Sequence, residues 1–286
     1  MAPLKQIGVV GCGLMGSGIA QVSAQAGMTT WVREIDKPTL EKGLGRIRKF
    51  LEDGVAKGKV TAEDRDRALG NLKGTTDLGD LAACELVIEA VVESIEAKRE
   101  VFSALDRTLA ASAVLASNTS SLSITEIAAC AERPERVLGL HFFNPVPLMK
   151  LVEIIRALPT SDDAFARAKG YVEQIGKTAV VAKDTPGFVV NRLLVPYLLD
   201  AVRVFESGVA SREDIDNGMK LGCGYPMGPL TLLDFVGLDT TYYIANIMFE
   251  EFKQPQYAAP PLLRRMVFAG YLGRKSGRGF YDYSKA

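Results

Sequence analysis

Residues 5–27 read KQIGVVGCGLMGSGIAQVSAQAG, and the fold turns on how they are understood. Ile7, Val9 and Val10 form a short apolar run, the pattern of a strand buried on both faces. Gly11-x-Gly13-x-x-Gly16 follows at once, and a helical pattern over residues 14–26 follows that. Gly11 permits a tight turn, Gly13 lets backbone approach a pyrophosphate, and Gly16 lets helix and strand pack closely. The helix start then offers unpaired N–H groups and a positive dipole end to phosphates. Gly11, Gly13, Leu14, Met15 and Gly16 are therefore expected to contact a dinucleotide. Such a glycine pattern alone is weak, but here a second strand pattern, TTWVREID at residues 29–36, comes next. An acid closing that strand should grip the adenosine ribose hydroxyls. Glu34 and Asp36 both qualify; spacing favours Glu34 and leaves Asp36 as a turn or helix-cap residue. A carboxylate there disfavours a 2′-phosphate, so the expected cofactor is NAD, although Arg33 beside it works the other way.

Helical and strand patterns then alternate. Helices are expected over residues 40–59, 62–72, 96–109, 123–131 and 163–175, and strands over 84–93, 112–118, 136–143, 150–158 and 178–184. This alternation means βαβ units and an α/β class: a Rossmann-like, doubly wound, mostly parallel sheet. Ligands of such sheets bind beyond the carboxyl ends of the strands. Asn118 to Ser121 and His141 fall at such ends, with Asn118 expected at the cofactor. Pro186-Gly187 breaks the pattern, and almost no strand signal follows. The expected domains are residues 1–184, binding NAD and carrying the catalytic groups, and residues 185–286, smaller and all helical. The first helix of the second part looks apolar nearly all round, kinked at Pro196, and suited to a homodimer interface.

The chain has 286 residues, long enough for two cores. Its 34 acidic and 34 basic residues balance, giving no support for nucleic-acid or membrane binding. Four scattered cysteines and one histidine make a metal site improbable and fit reduced thiols. Cys12 reads as a small apolar residue within the glycine turn. The start enters a strand almost at once and no apolar run reaches the roughly 18 residues that span a bilayer, so a cytoplasmic protein is expected.

His141, the single histidine, ends a strand, precedes the rigid turn NPVP, and is followed on the next apolar strand by Glu153. Most histidines are structural. A base near neutral pKa with an orienting carboxylate is nevertheless what proton transfer requires, and Glu153 suits a buried strand only if paired. Ser120 and Ser121 could cap a helix, but Ser123 with Glu126 fits a capping box better and leaves Ser120 to the site. Neither serine lies in a nucleophile elbow.

The segments GVVGCGLMGSGIAQ, VIEAVVE, ASNTSSLSI, LGLHFFNPVPLMKLVE, KDTPGFVVNRLLVPYLLDA, MKLGCGYPMGPLTLLDFVGLDTT and GYLGRKSGRGFYDY resemble the L-3-hydroxyacyl-CoA dehydrogenases. The short bacterial 3-hydroxybutyryl-CoA dehydrogenases are nearest in length. The resemblance implies NAD-dependent, reversible oxidation of (S)-3-hydroxyacyl-CoA, with an acyl-CoA substrate and a homodimer. It implies that His141 is the general base, oriented by Glu153, and that Ser120 and Asn191 bond around the substrate oxygen and the imidazole. Asn144 would lie near the nicotinamide and substrate; Glu93, Lys98, Ser120 and Lys275 would contact the cofactor. Lys57, or Lys59, would meet coenzyme A, where Phe50 replaces a small polar residue of some members. Two other readings are a dehydrogenase of free hydroxy or sugar acids such as L-gulonate, and an inactive NAD-binding structural protein.

Overall fold

Strand β1 (Gln6–Val10) is buried from Ile7 onward and is an inner strand, third from one edge, of an eight-stranded sheet. It pairs in parallel with β2 (Thr29–Arg33) on one side and β4 (Leu86–Glu89) on the other. Beyond β2 lies β3 (Leu72–Thr75); beyond β4 come β5 (Val114–Ser117), β6 (Val137–Phe142), β7 (Leu151–Arg156) and β8 (Thr178–Lys183). Every pairing is parallel except β6 with β7. The expected α/β, mostly parallel fold is thus present in this computed structural model, which describes residues 2–284.

One strand escapes the sequence pattern. The helix expected to reach residue 72 ends at Gly70, and Leu72–Thr75 forms β3 at the sheet edge. Its sequence, LKGT, exposes Lys73 and Gly74, so it lacks the apolar run of an inner strand. Helices α1 (Leu14–Gln25), α2 (Lys37–Ala56), α3 (Ala62–Gly70), α4 (Ile95–Thr108), α5 (Ile124–Ala128) and α6 (Asp162–Gln174) complete the first unit, Met1–Thr185. α2 buries Leu40, Gly43, Ile47 and Leu51, a stripe at helical spacing. Asp36 caps it, accepting the Thr39 N–H at 2.7 Å, and Pro38 stands in its first turn, where a missing N–H costs nothing. Ser123 caps α5 through the Glu126 N–H at 3.2 Å, while the Glu126 carboxylate pairs with Arg99 at 2.7 Å.

The second unit, Pro186–Ala286, contains α7 (Val190–Glu206), α8 (Arg212–Asn217), α9 (Pro229–Val236), α10 (Leu238–Phe252) and α11 (Pro261–Phe268). A π-helical turn, Gly218–Gly222, prolongs α8. Leu198, Leu199, Val202, Leu230, Leu233 and Met248 are among its core. α7 is not buried all round: Val195, Leu198, Leu199, Ala201 and Val202 face the core, whereas Leu193 is 72% exposed. Its C-terminal tail is docked through two buried acids. Asp234 accepts the Phe280 and Tyr281 N–H groups, each at 2.8 Å, and Asp216 accepts the Tyr281 hydroxyl at 2.9 Å. Among the described residues, no helix is long and apolar enough to cross a membrane.

The strand that delivers His141 is anchored from behind. Arg136, just before β6, donates from Nε to Asp106 Oδ1 at 3.0 Å and from Nη1 to the Ala110 carbonyl at 2.7 Å. Burial pushes the Asp106 carboxyl up, but the Arg136 bonds, the Glu132 N–H and the charges of Arg136 and Arg133 outweigh it and hold the group below its ordinary value. A carboxyl depressed on folding contributes stability above its unfolded pKa and loses it as pH falls through the folded value. Asp106→Ala should therefore cost about 3–5 kcal/mol at neutral pH, as expected for a broken buried ion pair. In urea titrations the deficit should shrink once the pH drops below the ordinary carboxyl value of 3.8.

Candidate active site

The dinucleotide end is built around the turn between β1 and α1. Gly11 has φ +93°, and a Cβ there would stand 2.6 Å from the Ala90 carbonyl oxygen. At Gly16 a Cβ would lie 1.8 Å from the Gly11 carbonyl oxygen, so helix and turn touch only because it is absent. Gly13, by contrast, faces open space and is the N-cap of α1, which has no side-chain cap and no acid in its first turn. The first N–H groups of α1 thus remain available to a phosphate. Beside them opens a cleft of about 750 Å³ whose walls include Gly11, Gly13, Leu14, Met15 and Glu34. Glu34 reaches back to the turn: its carboxylate accepts the Cys12 N–H at 2.6 Å and the Ile35 N–H at 2.9 Å. These features fit a dinucleotide. Cys12 is buried, and burial first, then the charge of Glu34, push its thiol up to about 12 against the opposing charge of Arg46. It is an inert packing residue.

A buried charge network lies behind the loop after β5. Glu89, at the end of β4 and fully buried, accepts the Lys98 ammonium at 2.7 Å, the Ser117 hydroxyl at 2.6 Å and the Val91 N–H at 2.7 Å. Lys98 also lies 3.4 Å from Glu93. Glu93 in turn accepts the Thr119 hydroxyl at 2.5 Å, the Ser120 N–H at 3.1 Å and the Ser121 hydroxyl at 3.1 Å. Lys98 is only 1% exposed, so its ammonium is committed to these carboxylates, and Glu93 fixes the loop. The sequence reading missed Glu89; its signal was an acid inside the apolar run LVIE, which demands a partner.

That loop carries Ser120 to the imidazole. His141 and Glu153 stand directly opposite each other in the antiparallel β6–β7 pair. His141 Nδ1 lies 2.7 Å from Glu153 Oε2, and His141 Nε2 lies 3.0 Å from Ser120 Oγ. His141 is 3% exposed and Glu153 fully buried. A carboxylate at Nδ1 assigns the proton to that nitrogen and leaves the Nε2 lone pair on the Ser120 side. The Phe143 ring packs 4.5 Å from the imidazole, and Asn118 Oδ1 accepts the Phe142 N–H at 3.0 Å. Asn144 precedes a cis peptide bond to Pro145 and lines a small cavity of about 70 Å³ with Ser17, Arg46 and Phe50.

The expected site residues therefore fall into groups. Glu34 joins Gly11 to Gly16 at the cleft, while Ser120, His141 and Glu153 form a chain of contacts, with Asn118, Glu93 and Lys98 bracing the loop beside them. Lys57 is the exposed C-cap residue of α2, and Lys59 lies beyond its end. Asn191 is half-buried in the first turn of α7, and Lys275 sits 2.6 Å from the Asp239 carboxylate, both within the second unit. Among the described residues, no cluster of three or more His, Cys, Asp or Glu could hold a metal ion.

A glycine-turn nucleotide cradle and a carboxylate-held imidazole on one sheet define an oxidoreductase of the nicotinamide-dependent class. The chain belongs to the 3-hydroxyacyl-CoA dehydrogenase family: residues 6–185 match its NAD binding domain and residues 187–283 its C-terminal domain. It is 55% identical over 282 residues to a 3-hydroxybutyryl-CoA dehydrogenase of Mycobacterium tuberculosis, covering 98% of this chain and 99% of that one. It is 46% identical to the mitochondrial hydroxyacyl-coenzyme A dehydrogenase of Mus musculus, covering 98% of this chain and 91% of the relative. The crystal structure of an (S)-3-hydroxybutyryl-CoA dehydrogenase from Ralstonia eutropha superposes with a TM-score of 0.95 at 45% identity, over 99% of this chain and 100% of that one.

Lys98→Met would leave Glu89 buried without its cation and should cost about 3–5 kcal/mol. Adding Glu89→Gln should restore part of that loss. Urea midpoints of the single and double variants read both effects, and a Lys98 that mattered only to cofactor would leave the midpoint unmoved.

Proposed function

We propose that this chain catalyses the reversible NAD-dependent oxidation of (S)-3-hydroxyacyl-CoA to 3-oxoacyl-CoA, with 3-hydroxybutyryl-CoA as its substrate. The observation that carries this reading is the imidazole of His141, bound on one nitrogen by Glu153 at 2.7 Å and on the other by Ser120 at 3.0 Å. Bound NAD supplies the hydride acceptor for C3 of the acyl chain. His141 Nε2 takes the proton of the 3-hydroxyl as the carbonyl forms, and returns it in the reverse reaction. Glu153 keeps the ring in the productive tautomer and stabilises the imidazolium that results. Ser120 Oγ, beside Nε2, would orient the substrate oxygen and help hold the cofactor.

In the same reading Gly11, Gly13, Leu14, Met15 and Gly16 bind the pyrophosphate, and Glu34 holds the adenosine ribose. Glu93 and Lys98 shape the cofactor side of the Asn118–Ser121 loop, and Asn118 itself contacts the cofactor. Asn144 serves the nicotinamide and substrate, Asn191 the substrate oxygen, Lys275 the cofactor and Lys57 coenzyme A; these roles rest on the family motifs. The chain divides its work between residues 1–184, which bind NAD and carry His141 and Glu153, and residues 185–286, which pair into a homodimer. Exposed Leu193, Leu221 and Phe268 in the helical part support that pairing, and light scattering would reveal a monomer if it is wrong. Four free thiols suit the reducing cytoplasm.

His141→Ala should lower kcat by roughly 10²- to 10⁴-fold while calorimetry still detects NADH binding. Glu153→Gln, which preserves shape but not the tautomer, should lose roughly 10²-fold or more. The substrate assignment is tested by NADH oxidation with acetoacetyl-CoA against free acetoacetate. Turnover of the free acid alone would remove the thioester from the reading.

A further inference from the structure

Lys177 is a half-buried cation that bonds to carbonyls of the turn joining β6 to β7. Its Nζ donates to the Val146 carbonyl at 2.7 Å and to the Met149 carbonyl. Burial pulls the ammonium below its ordinary value. A desolvated ammonium is costly unless hydrogen-bonded, and these two carbonyls compensate it. The backbone beneath Lys177 is fixed on both sides. Helix α6 ends in a Schellman turn: Gly176, at φ +70°, donates its N–H to the Glu173 carbonyl at 3.0 Å, and the Lys177 N–H bonds the Val172 carbonyl at 3.0 Å. One residue on, the Thr178 N–H donates to the Lys150 carbonyl at 2.7 Å and β8 begins. The ammonium thus reaches the turn from a rigid post.

The same turn is held from another side by α1. Val146 is only 2% exposed, and a Cβ on Gly18 would stand 2.8 Å from the Val146 Cβ. Val146 therefore rests on bare backbone of the helix whose first turn faces the nucleotide cleft. Within the turn, the Pro145 carbonyl accepts the Leu148 and Met149 N–H groups at 2.9 and 3.0 Å. The residues just before it belong to the candidate site. The Phe143 ring packs 4.5 Å from the imidazole, and Asn144 lines a small cavity with Ser17 of α1. Where the turn sits thus sets where Asn144 stands between α1 and the end of β6.

We propose that Lys177 is a positioning residue for hydride transfer: with Gly18 it clamps the turn and so holds Asn144 where it serves nicotinamide and substrate. This inference rests on the dehydrogenase reading and the role of Asn144 given above, and goes beyond them by naming what keeps Asn144 in place. Without the ammonium the turn is held by Val146 and its own backbone bonds. Its freedom then falls on Asn144, and a misplacement of about 1 Å in a reacting site costs up to roughly 10²-fold in rate.

Double-variant cycles read on NADH oxidation with acetoacetyl-CoA test it. Lys177→Met keeps an unbranched side chain without charge or donors, and should lower kcat roughly tenfold, the size of one charge-assisted hydrogen bond. Gly18→Ala favours the helix but puts its Cβ against Val146, and should also lower kcat. Asn144→Ala should itself be slow, and adding either change to it should cost little more. A merely structural clamp would lower both backgrounds equally. Circular dichroism checks folding at the assay temperature; if Lys177→Met does not fold, Gly18→Ala and its double variant decide. The proposal is overturned if either folded single variant keeps wild-type kcat, if its loss is undiminished beside Asn144→Ala, or if Asn144→Ala is as fast as wild type. Wild type inert toward acetoacetyl-CoA and NADH would instead sink the dehydrogenase reading on which the inference stands.

Discussion

A carboxylate fully removed from water in the middle of a sheet is the constraint on which the site depends. Glu153 is fully buried, as is Glu89 three strands away in the same sheet. Each would cost several kcal/mol without compensation. They are compensated differently. Glu89 faces Lys98, a permanent cation, together with a hydroxyl and a backbone N–H, and the result is a fixed bracket for the neighbouring loop. Glu153 faces an imidazole, whose second ring nitrogen lies against Ser120. The partner with a second nitrogen to offer is the one beside Ser120. The bracket and the candidate site thus differ in the choice between lysine and histidine.

The chain reversal between β6 and β7 makes the histidine pair possible. A parallel return would need a crossover of a dozen or more residues, but residues 143–150 are too few for that and turn the chain back directly. In the resulting antiparallel register His141 opposes Glu153. A slip by one residue would send Glu153 to the other face of the sheet. Strand order, turn length and register therefore combine to produce a single 2.7 Å contact.

Much of this was legible in the sequence because parallel strands are buried on both faces and write themselves as apolar runs. Seven of the eight strands were legible as strands, including the second edge strand β8, whose Val180 and Val181 still give an apolar run although it is mostly exposed or half-buried; LKGT at the other edge was not, because an edge strand need not be apolar. The His141–Glu153 relation was readable as an acid out of place on an apolar strand. Glu89 carried the same signal but was read only as part of a strand. Lys98 was harder: in an amphipathic charged helix a buried lysine looks like any solvated one. The helix α7 misled in the opposite sense, since its many apolar residues suggested burial all round, whereas the core takes one face and leaves Leu193 outside.

The two ends of the sheet use acids in contrasting ways. At the imidazole the acid is paired with a side chain, His141 Nδ1 at 2.7 Å. At the nucleotide cleft, Glu34 is bound by two backbone N–H groups, which orient its oxygens but bring no formal charge. Its negative field therefore remains directed into the cleft, where it favours hydroxyls that donate and opposes phosphates that cannot. An adjacent arginine does not cancel that field unless it pairs with the acid, and here Arg33 and Glu34 form no ion pair among the described residues. An acid fixed by neutral donors thus keeps a charge that an acid paired with a cation, as Glu89 is with Lys98, does not.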